Sequence, residues 1–239
     1  MKSPAQSIHS PLGVFEVILS PRRIVVLATL FVVGGISVAE AQQKESRWEK
    51  TIAGFEAVDA KNPPQPGGIV FTGSSSVRMW DLKKSFPELQ LVNRGFGGSE
   101  IADSTEFAPR FLIPHKPRQI VLYAGDNDIA KGKDAAAVIE DFQQFVNTIS
   151  TALPETKIAF LAIKPSISRW KLWPTMKAAN YGIAAICEAD PKLDFIDISP
   201  DMFGDDGKPD PALFAKDGLH MTPAGYERWT ARVRKTLGW

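Results

Sequence analysis

Cysteine is almost absent from this 239-residue sequence, and this limits its covalent structure. The single thiol, Cys187, excludes any intrachain disulfide. Cys187 lies in the apolar helical segment 183–187 and has no basic neighbour in sequence that would lower its pKa. We therefore predict a packed, unreactive thiol rather than a nucleophile.

The sequence also lacks an excess of charge of either sign, with 28 basic and 27 acidic side chains. Removing residues 1–41, which have the features of a signal peptide, leaves equal numbers of the two. Nucleic acids and anionic membranes bind proteins through basic patches. We therefore expect no nucleic-acid partner. Internal repeats and low-complexity tracts are absent as well.

Long apolar runs are missing after the first forty residues. The one such run, residues 24–38, follows Arg22 and Arg23 and precedes Ala39-Glu40-Ala41, the small residues of a cleavage site. We predict that residues 1–41 are a secretory signal peptide and that residues 42–239 form one exported domain, periplasmic or extracellular, with no remaining membrane span. The alternative is an uncleaved N-terminal anchor.

Short apolar segments alternate with helical patterns along the rest of the chain. Strands are predicted at 68–73, 89–93, 118–124, 157–163 and 194–198. Helices are predicted at 43–61, 79–84, 100–113, 134–153 and 223–237, with one more that ends at about residue 189. This alternation predicts an α/β fold with a five-stranded parallel sheet and helices on both faces. In such sheets ligands bind at the carboxyl ends of the strands.

Glycine-containing segments follow three of these strands directly, at 73–75, 95–98 and 125–127. Farther along, Asp217 and His220 are three residues apart, a spacing at which the two side chains can meet on one turn. Serine, aspartate and histidine are the parts of a hydrolytic triad. His220 is the histidine in a suitable position, because His9 lies in the signal region and His115 is predicted to lie at the surface.

Four blocks in order resemble those of the SGNH hydrolases, also called the GDSL esterase/lipase superfamily. They are Gly73-Ser74-Ser75, Asn93-x-Gly95-x-x-Gly98, Gly125-Asp126-Asn127-Asp128 and Asp217-Gly218-Leu219-His220. The resemblance covers nearly the whole chain after residue 41 and implies a flavodoxin-like three-layer sandwich. The first block departs from the family pattern, since Ser74 stands where the family has aspartate.

The resemblance also implies roles for individual residues. Ser75 would be the nucleophile, with Asp217 and His220 completing the triad. The backbone N–H groups of Ser75 and Gly98 and the Asn127 amide would form the oxyanion hole. No cofactor is implied.

Other interpretations of these residues fit the sequence less well. Glu100 replaces the third glycine of a dinucleotide-binding pattern. Asp126 and Asp128 could suggest a metal, but no ligand cluster accompanies them, so we predict hydrogen bonds within their loop and no metal. Trp170 and Trp173 are predicted to line the substrate pocket, although a core position is the alternative.

The sequence thus predicts a secreted serine esterase that hydrolyses short-chain acyl esters, such as acetyl esters, through an acyl-enzyme. Its substrate would be a small ester, either an acylated sugar or a glyceride. A thioesterase or lysophospholipase is the alternative within the enzyme class. The alternatives from other classes are an inactive carbohydrate-binding protein with the same fold and a flavodoxin-like cofactor binder.

Overall fold

The computed structural model describes residues 46–239, so the predicted signal peptide lies outside the described residues. Five parallel strands form one sheet in the order β2-β1-β3-β4-β5. They are β1 Ile69–Gly73, β2 Leu91–Gly95, β3 Gln119–Tyr123, β4 Lys157–Leu161 and β5 Leu193–Ile196. This arrangement confirms the predicted α/β fold with a five-stranded parallel sheet and flavodoxin-like strand order.

Helices cover both faces of the sheet, as parallel strands require. They are α1 Glu49–Lys61, α2 Ser75–Arg78, α3 Leu82–Ser85, α4 Ile101–Phe111, α5 Asp126–Ala130, α6 Ala135–Ala152, α7 Trp173–Glu188 and α8 Pro223–Leu237. Among residues 46–239, no helix combines the length and the apolar composition that crossing a membrane requires.

Alternate residues of each strand enter different cores. In β1, Val70 packs into the core shared with α1, α4, α6 and α7, whereas Ile69 and Phe71 pack into the core that contains α8. The two-residue repeat of a strand produces this division. All five residues of β1 are buried, which explains the apolar run Ile69-Val70-Phe71. The buried Thr72 hydroxyl donates to the Arg94 carbonyl at 3.3 Å.

α6 and α8 begin and end close to where the sequence predicts, whereas α1 begins at Glu49, later than the predicted start at residue 43. The Asp134 carboxylate accepts a hydrogen bond from the Ala137 N–H at 2.9 Å, so Asp134 is the N-cap of α6. Val138 and Phe142 are among the apolar residues that α6 buries. α8 follows Thr222, whose side chain caps the helix, and ends before Gly238 in the left-handed conformation.

The region after β1 differs from the prediction of one helix at 79–84. The chain enters α2 at Ser75, and Asp81 then caps α3, its carboxylate accepting from the Lys84 N–H at 3.0 Å. β2 also begins later than predicted. The consequence for the site is that Ser75 lies in the first turn of a helix rather than in a loop.

His115 is buried, so the prediction of a surface position is wrong. Its Nε2 lies 3.0 Å from Asp59 Oδ2, and Asp59 also pairs with Arg94. Burial lowers the pKa of His115, because the imidazolium loses its hydration. These residues connect α1, β2 and the segment before β3, which are far apart in sequence.

Candidate active site

The carboxyl ends of β1, β2 and β3 meet at one cavity of about 450 Å³. The structure brings four of the predicted site residues to this cavity. Its lining consists of Trp48, Thr51, Ser75, Arg78, Gly97, Gly98, Asn127, Leu219 and His220. A larger groove of about 670 Å³ lies between α3 and α8, and none of the predicted site residues lines it.

The turn that presents Ser75 depends on Gly73. Its φ is +121°, and a Cβ at this position would lie 1.9 Å from the carbonyl oxygen of Tyr123. A residue other than glycine therefore cannot occupy the end of β1 without displacing β3.

Backbone hydrogen bonds hold the residue that replaces the family's aspartate. The N–H of Ser74 donates to the Tyr123 carbonyl at 2.9 Å, and the Ser74 carbonyl accepts from the N–H groups of Val77 and Arg78 at 3.1 Å each. The buried Ser74 hydroxyl has no hydrogen-bond partner among residues 46–239. The turn thus forms without a carboxylate at position 74.

A tight loop before α8 holds Asp217 and His220. It is closed by a β-bridge between Phe214 and Met221 and by a 2.7 Å hydrogen bond from the Ala215 N–H to the His220 carbonyl. One Asp217 oxygen, Oδ1, accepts from the N–H groups of Leu219 and His220 at 2.9 and 3.0 Å. The other, Oδ2, lies 2.6 Å from His220 Nδ1.

His220 connects this loop to the serine turn, because its Nε2 lies 3.0 Å from Ser75 Oγ. The Asp217 carboxylate can only accept at Nδ1, which assigns the ring hydrogen to Nδ1 and leaves Nε2 free to accept from the Ser75 hydroxyl. The Ser75, His220 and Asp217 side chains therefore form a continuous chain of hydrogen bonds.

The electrostatics of this chain favour an ionised Asp217. Its hydrogen bond to His220, together with those from the backbone, lowers its pKa to about 2. A carboxylate that stays ionised can stabilise a neighbouring imidazolium when His220 accepts a proton.

The three groups predicted to form the oxyanion hole each have a hydrogen available for a further hydrogen bond. The N–H of Ser75 is the first of α2 and so has no partner within its helix. Gly98 has φ of +80°, and its N–H makes no backbone hydrogen bond within residues 46–239. Asn127 Nδ2 donates to the Ser99 carbonyl at 2.9 Å and keeps a second hydrogen available.

Trp170 and Trp173 do not line this cavity, so their predicted position in the pocket is corrected. Their rings stack on each other at 6.5 Å and pack edge-on against Phe203, and Trp173 lines a separate cavity of about 230 Å³. Both rings instead contact the segment that follows β5, which contains Phe203.

Trp48 is the aromatic residue that the sequence analysis missed. It precedes α1 and packs edge-on against Phe96 at 5.4 Å, while the neighbouring Arg47 donates to the Gly98 carbonyl at 2.8 Å. In sequence, Trp48 continues the apolar repeat of α1, which predicts a core position. No local signal separates it from the true core residues of that helix.

Asp126 makes its side-chain contacts outside its own loop, contrary to the prediction, whereas Asp128 has one partner within it, Lys133 at 3.3 Å, and one outside it. Asp126 Oδ2 lies 3.0 Å from a guanidinium nitrogen of Arg169 and 3.4 Å from Lys164 Nζ, and Asp128 Oδ1 accepts from the Ile101 N–H at 3.2 Å. Within the described part of the chain, no three His, Cys, Asp or Glu side chains are grouped as metal ligands.

Cys187 is buried on α7, and burial raises the pKa of its thiol to about 12. A thiol with so high a pKa carries almost no thiolate at neutral pH. The predicted packed position of Cys187 is confirmed, and the raised pKa agrees with a thiol that is not a nucleophile.

Sequence comparison identifies the family. The family model described as GDSL-like lipase/acylhydrolase matches residues 72–228, which include all four sequence blocks. The chain belongs to this family. The GDSL acylhydrolases hydrolyse ester bonds, so the class of reaction agrees with the prediction. Among curated proteins, no sequence matches the chain.

Solved structures share the fold of this GDSL family member. One from Streptococcus pneumonia, whose name refers to platelet activating factor, has a TM-score of 0.72 and 21% identity, covering 79% of this chain and 92% of its own. A mutant acetyl-xylooligosaccharide esterase from Geobacillus has a TM-score of 0.59 and 16% identity, covering 73% and 96%. A Clostridium thermocellum family 3 carbohydrate esterase has a TM-score of 0.59 and 18% identity, covering 72% and 95%.

Proposed function

We propose that this protein is an exported serine esterase that hydrolyses short-chain acyl esters, such as acetyl esters, through an acyl-enzyme. The observation that carries the proposal is the hydrogen-bonded chain from Ser75 Oγ to His220 Nε2, 3.0 Å, and from His220 Nδ1 to Asp217 Oδ2, 2.6 Å. An inactive binding protein has no need of this alignment.

The proposed reaction has two steps. Ser75 Oγ attacks the acyl carbon while its proton passes to His220 Nε2, and negative charge develops on the carbonyl oxygen. The donors at Ser75, Gly98 and Asn127 stabilise that oxygen. The intermediate then expels the alcohol, which takes the proton from His220. Water attacks the acyl-enzyme by the same route and releases the acid and Ser75.

The cavity lining supports a short acyl group. Trp48 and Leu219 provide its large apolar surfaces, whereas the other lining residues are glycines or polar. A long acyl chain requires a continuous apolar channel, and this lining does not provide one.

An aromatic ring beside polar donors also suits a sugar alcohol. Trp48 supplies that ring, and Thr51 and Arg78 supply polar groups on the same cavity. The names of two structural neighbours, an acetyl-xylooligosaccharide esterase and a carbohydrate esterase, point to the same class of substrate.

The test combines labelling with a substrate series. A fluorophosphonate should label Ser75 and neither Ser74 nor Ser76, and Ser75→Ala should lower kcat by about a millionfold. Rates should fall from acetyl to palmitoyl p-nitrophenyl esters, and acetylated sugars should be substrates. A label on Ser74 or Ser76 contradicts the triad, and a kcat/KM that rises towards palmitoyl esters contradicts the short acyl group.

A further inference from the structure

A buried cluster of charged side chains lies behind the oxyanion donors and has no part in the proposed steps. The side chains of Lys164 and Asp126 are 0% and 6% exposed. Lys164 Nζ lies 3.0 Å from the Tyr123 hydroxyl and 3.4 Å from Asp126 Oδ2, and Arg169 contacts the same carboxylate oxygen at 3.0 Å. Buried ions cost free energy, so a cluster beside a site suggests a role there.

Arg169 extends this cluster to the oxyanion donor. While one of its guanidinium nitrogens faces Asp126, the other donates to Asn127 Oδ1 at 3.0 Å. The contact of Nη1 with Asp126 is an ion pair without hydrogen-bond geometry, since Nη1 has no hydrogen-bond partner among residues 46–239. The directed hydrogen bond of Arg169 in this cluster is therefore the one to Asn127.

These contacts fix the orientation of the Asn127 amide. A guanidinium can only donate, so it selects the amide oxygen, Oδ1, and the Ser99 carbonyl can only accept, so it selects the amide nitrogen, Nδ2. A flipped amide would place two acceptors together and two donors together. The correct orientation leaves the second hydrogen of Nδ2 for the cavity, which Asn127 lines.

We infer that Arg169 is a positioning residue, which holds the Asn127 amide with its N–H towards the developing oxyanion. The inference rests on the proposed function. Arg169 itself does not line the cavity and acts through Asn127. Without Arg169, the Asn127 amide oxygen loses its charged donor. Other conformers of the Asn127 side chain then become populated, in which the amide oxygen faces the oxyanion or the amide points away from it. These conformers weaken the transition state more than the bound substrate.

A double-mutant cycle tests this role on an acetyl ester. Arg169→Ala should lower kcat about tenfold with little change in KM. The loss in kcat should not exceed the roughly 100- to 1,000-fold loss expected when one oxyanion donor is removed. In the Asn127→Ala background, Arg169→Ala should have almost no further effect, because the group that it positions is gone. Lys171→Ala removes an exposed cation from the same loop and is the matched control, with wild-type kcat expected.

The outcomes separate this inference from the proposed function. Wild-type protein without esterase activity, or Ser75→Ala with full activity, contradicts the proposed function. If the wild type is active and Arg169→Ala leaves kcat unchanged, the positioning role alone is overturned. The same holds if the losses in kcat caused by Arg169→Ala and Asn127→Ala multiply in the double variant. If Arg169→Ala does not fold, Arg169→Lys is used in the same cycle, since a lysine can still pair with Asp126 but cannot span both partners.

Discussion

At the scale of single residues, the candidate site depends on where the donors and acceptors of a few side chains point. The ring hydrogen of His220 is fixed on Nδ1 because Asp217 accepts there. Asp217 is fixed in turn by the N–H groups of Leu219 and His220. The His220 ring is therefore oriented by a carboxylate that can only accept hydrogen bonds, and the Asp217 carboxylate is oriented by N–H groups that can only donate them.

Replacing Asp217 by asparagine tests this assignment. The amide oxygen of the Asp217→Asn variant could still accept from the two backbone N–H groups, so the loop should keep its shape. Its N–H₂ group would face Nδ1 of His220 and favour the wrong tautomer. We expect kcat to fall about 10⁴-fold, with little change in the midpoint of thermal unfolding. A loss of less than tenfold in the folded variant would remove Asp217 from the triad.

The low pKa of Asp217, about 2, makes a further prediction about pH. His220 must be unprotonated at Nε2 to accept the Ser75 proton, so kcat/KM should fall as the pH falls. Asp217 remains ionised above about pH 4, so its titration should not change kcat/KM above that pH. A pH profile of kcat/KM for a short ester checks this, and a rate that peaks below about pH 5 would indicate paired carboxylates instead.

Trp48 gives a prediction about substrate binding. Trp48→Ala should raise KM for an acetylated sugar about tenfold, equivalent to about 1.4 kcal/mol, with a smaller change in kcat. Trp173→Ala, the same substitution in the separate cavity, is the control and should leave KM unchanged. An equal or larger rise in KM for Trp173→Ala would mean that the substrate reaches the other cavity.

The residues of the site differ in how far the sequence could predict them. The short blocks at Ser75, Gly98, Asn127 and His220 were found because, taken in order, they resemble the blocks of a known family. Trp170 and Trp173 were misplaced because a sequence does not say to which side a loop turns its side chains. His115 was misplaced because its partner Asp59 lies 56 positions away, on another element.

At the scale of elements, one buried carboxylate joins α4 to α5. Asp128 Oδ1 accepts from the Ile101 N–H at the start of α4 and lies 3.3 Å from Lys133 Nζ. Its other oxygen is buried without a hydrogen-bond partner among residues 46–239. Burial therefore dominates and raises the pKa of Asp128 to about 6, despite the nearby lysine.

This raised pKa makes stability depend on pH. The folded state holds the Asp128 proton more tightly than the unfolded state, whose carboxyl has a pKa near 3.9. The contribution of Asp128 to the free energy of unfolding is therefore fully present below about pH 4 and is lost as the pH rises through about 6. The free energy of unfolding of wild type relative to Asp128→Asn should fall by about 2 kcal/mol across this window.

Urea unfolding of both proteins at pH 4, 5, 6 and 7 measures this difference. Asp134→Asn is a suitable control, because Asp134 caps the exposed start of α6. The idea fails if the difference between wild type and Asp128→Asn is constant over the window.

Element boundaries were predictable where capping and periodicity agree. Asp134 and Pro154 bound α6, and Thr222-Pro223 and Gly238 bound α8, so both helices were predicted closely. The segment after β1 was not, because Ser75–Arg78 forms a four-residue helix too short to show a periodic pattern. Its first turn depends on the Tyr123 carbonyl of β3, a contact made by the tertiary fold.

At the scale of the whole molecule, two apolar cores share a single sheet. One contains Phe142 of α6 and the other contains Phe86 and Trp229, and all three side chains are fully buried. Alternate residues of the same strands pack into the two cores, so the unfolding of either core exposes one face of the sheet that the other core also requires. We therefore expect residues 46–239 to unfold as one cooperative unit.

Two spectroscopic probes can test this cooperativity because they report on different faces of the sheet. Trp80, Trp229 and Trp239 pack in or against the core with α8, whereas Trp48 and Trp173 pack against the other core and Trp170 stacks on Trp173. Fluorescence therefore reports on the α8 side once Trp48, Trp170 and Trp173 are replaced by phenylalanine. The long helices α4, α6 and α7 on the other side contribute much of the far-ultraviolet circular dichroism. Phe142→Ala and Phe86→Ala should each lower the free energy of unfolding by about 3 to 5 kcal/mol. In both variants the two probes should give coincident urea transitions, because the strands transmit the loss of either core to the other. Separate transitions, with each substitution shifting only the probe on its own face, would show that the sheet does not couple the cores.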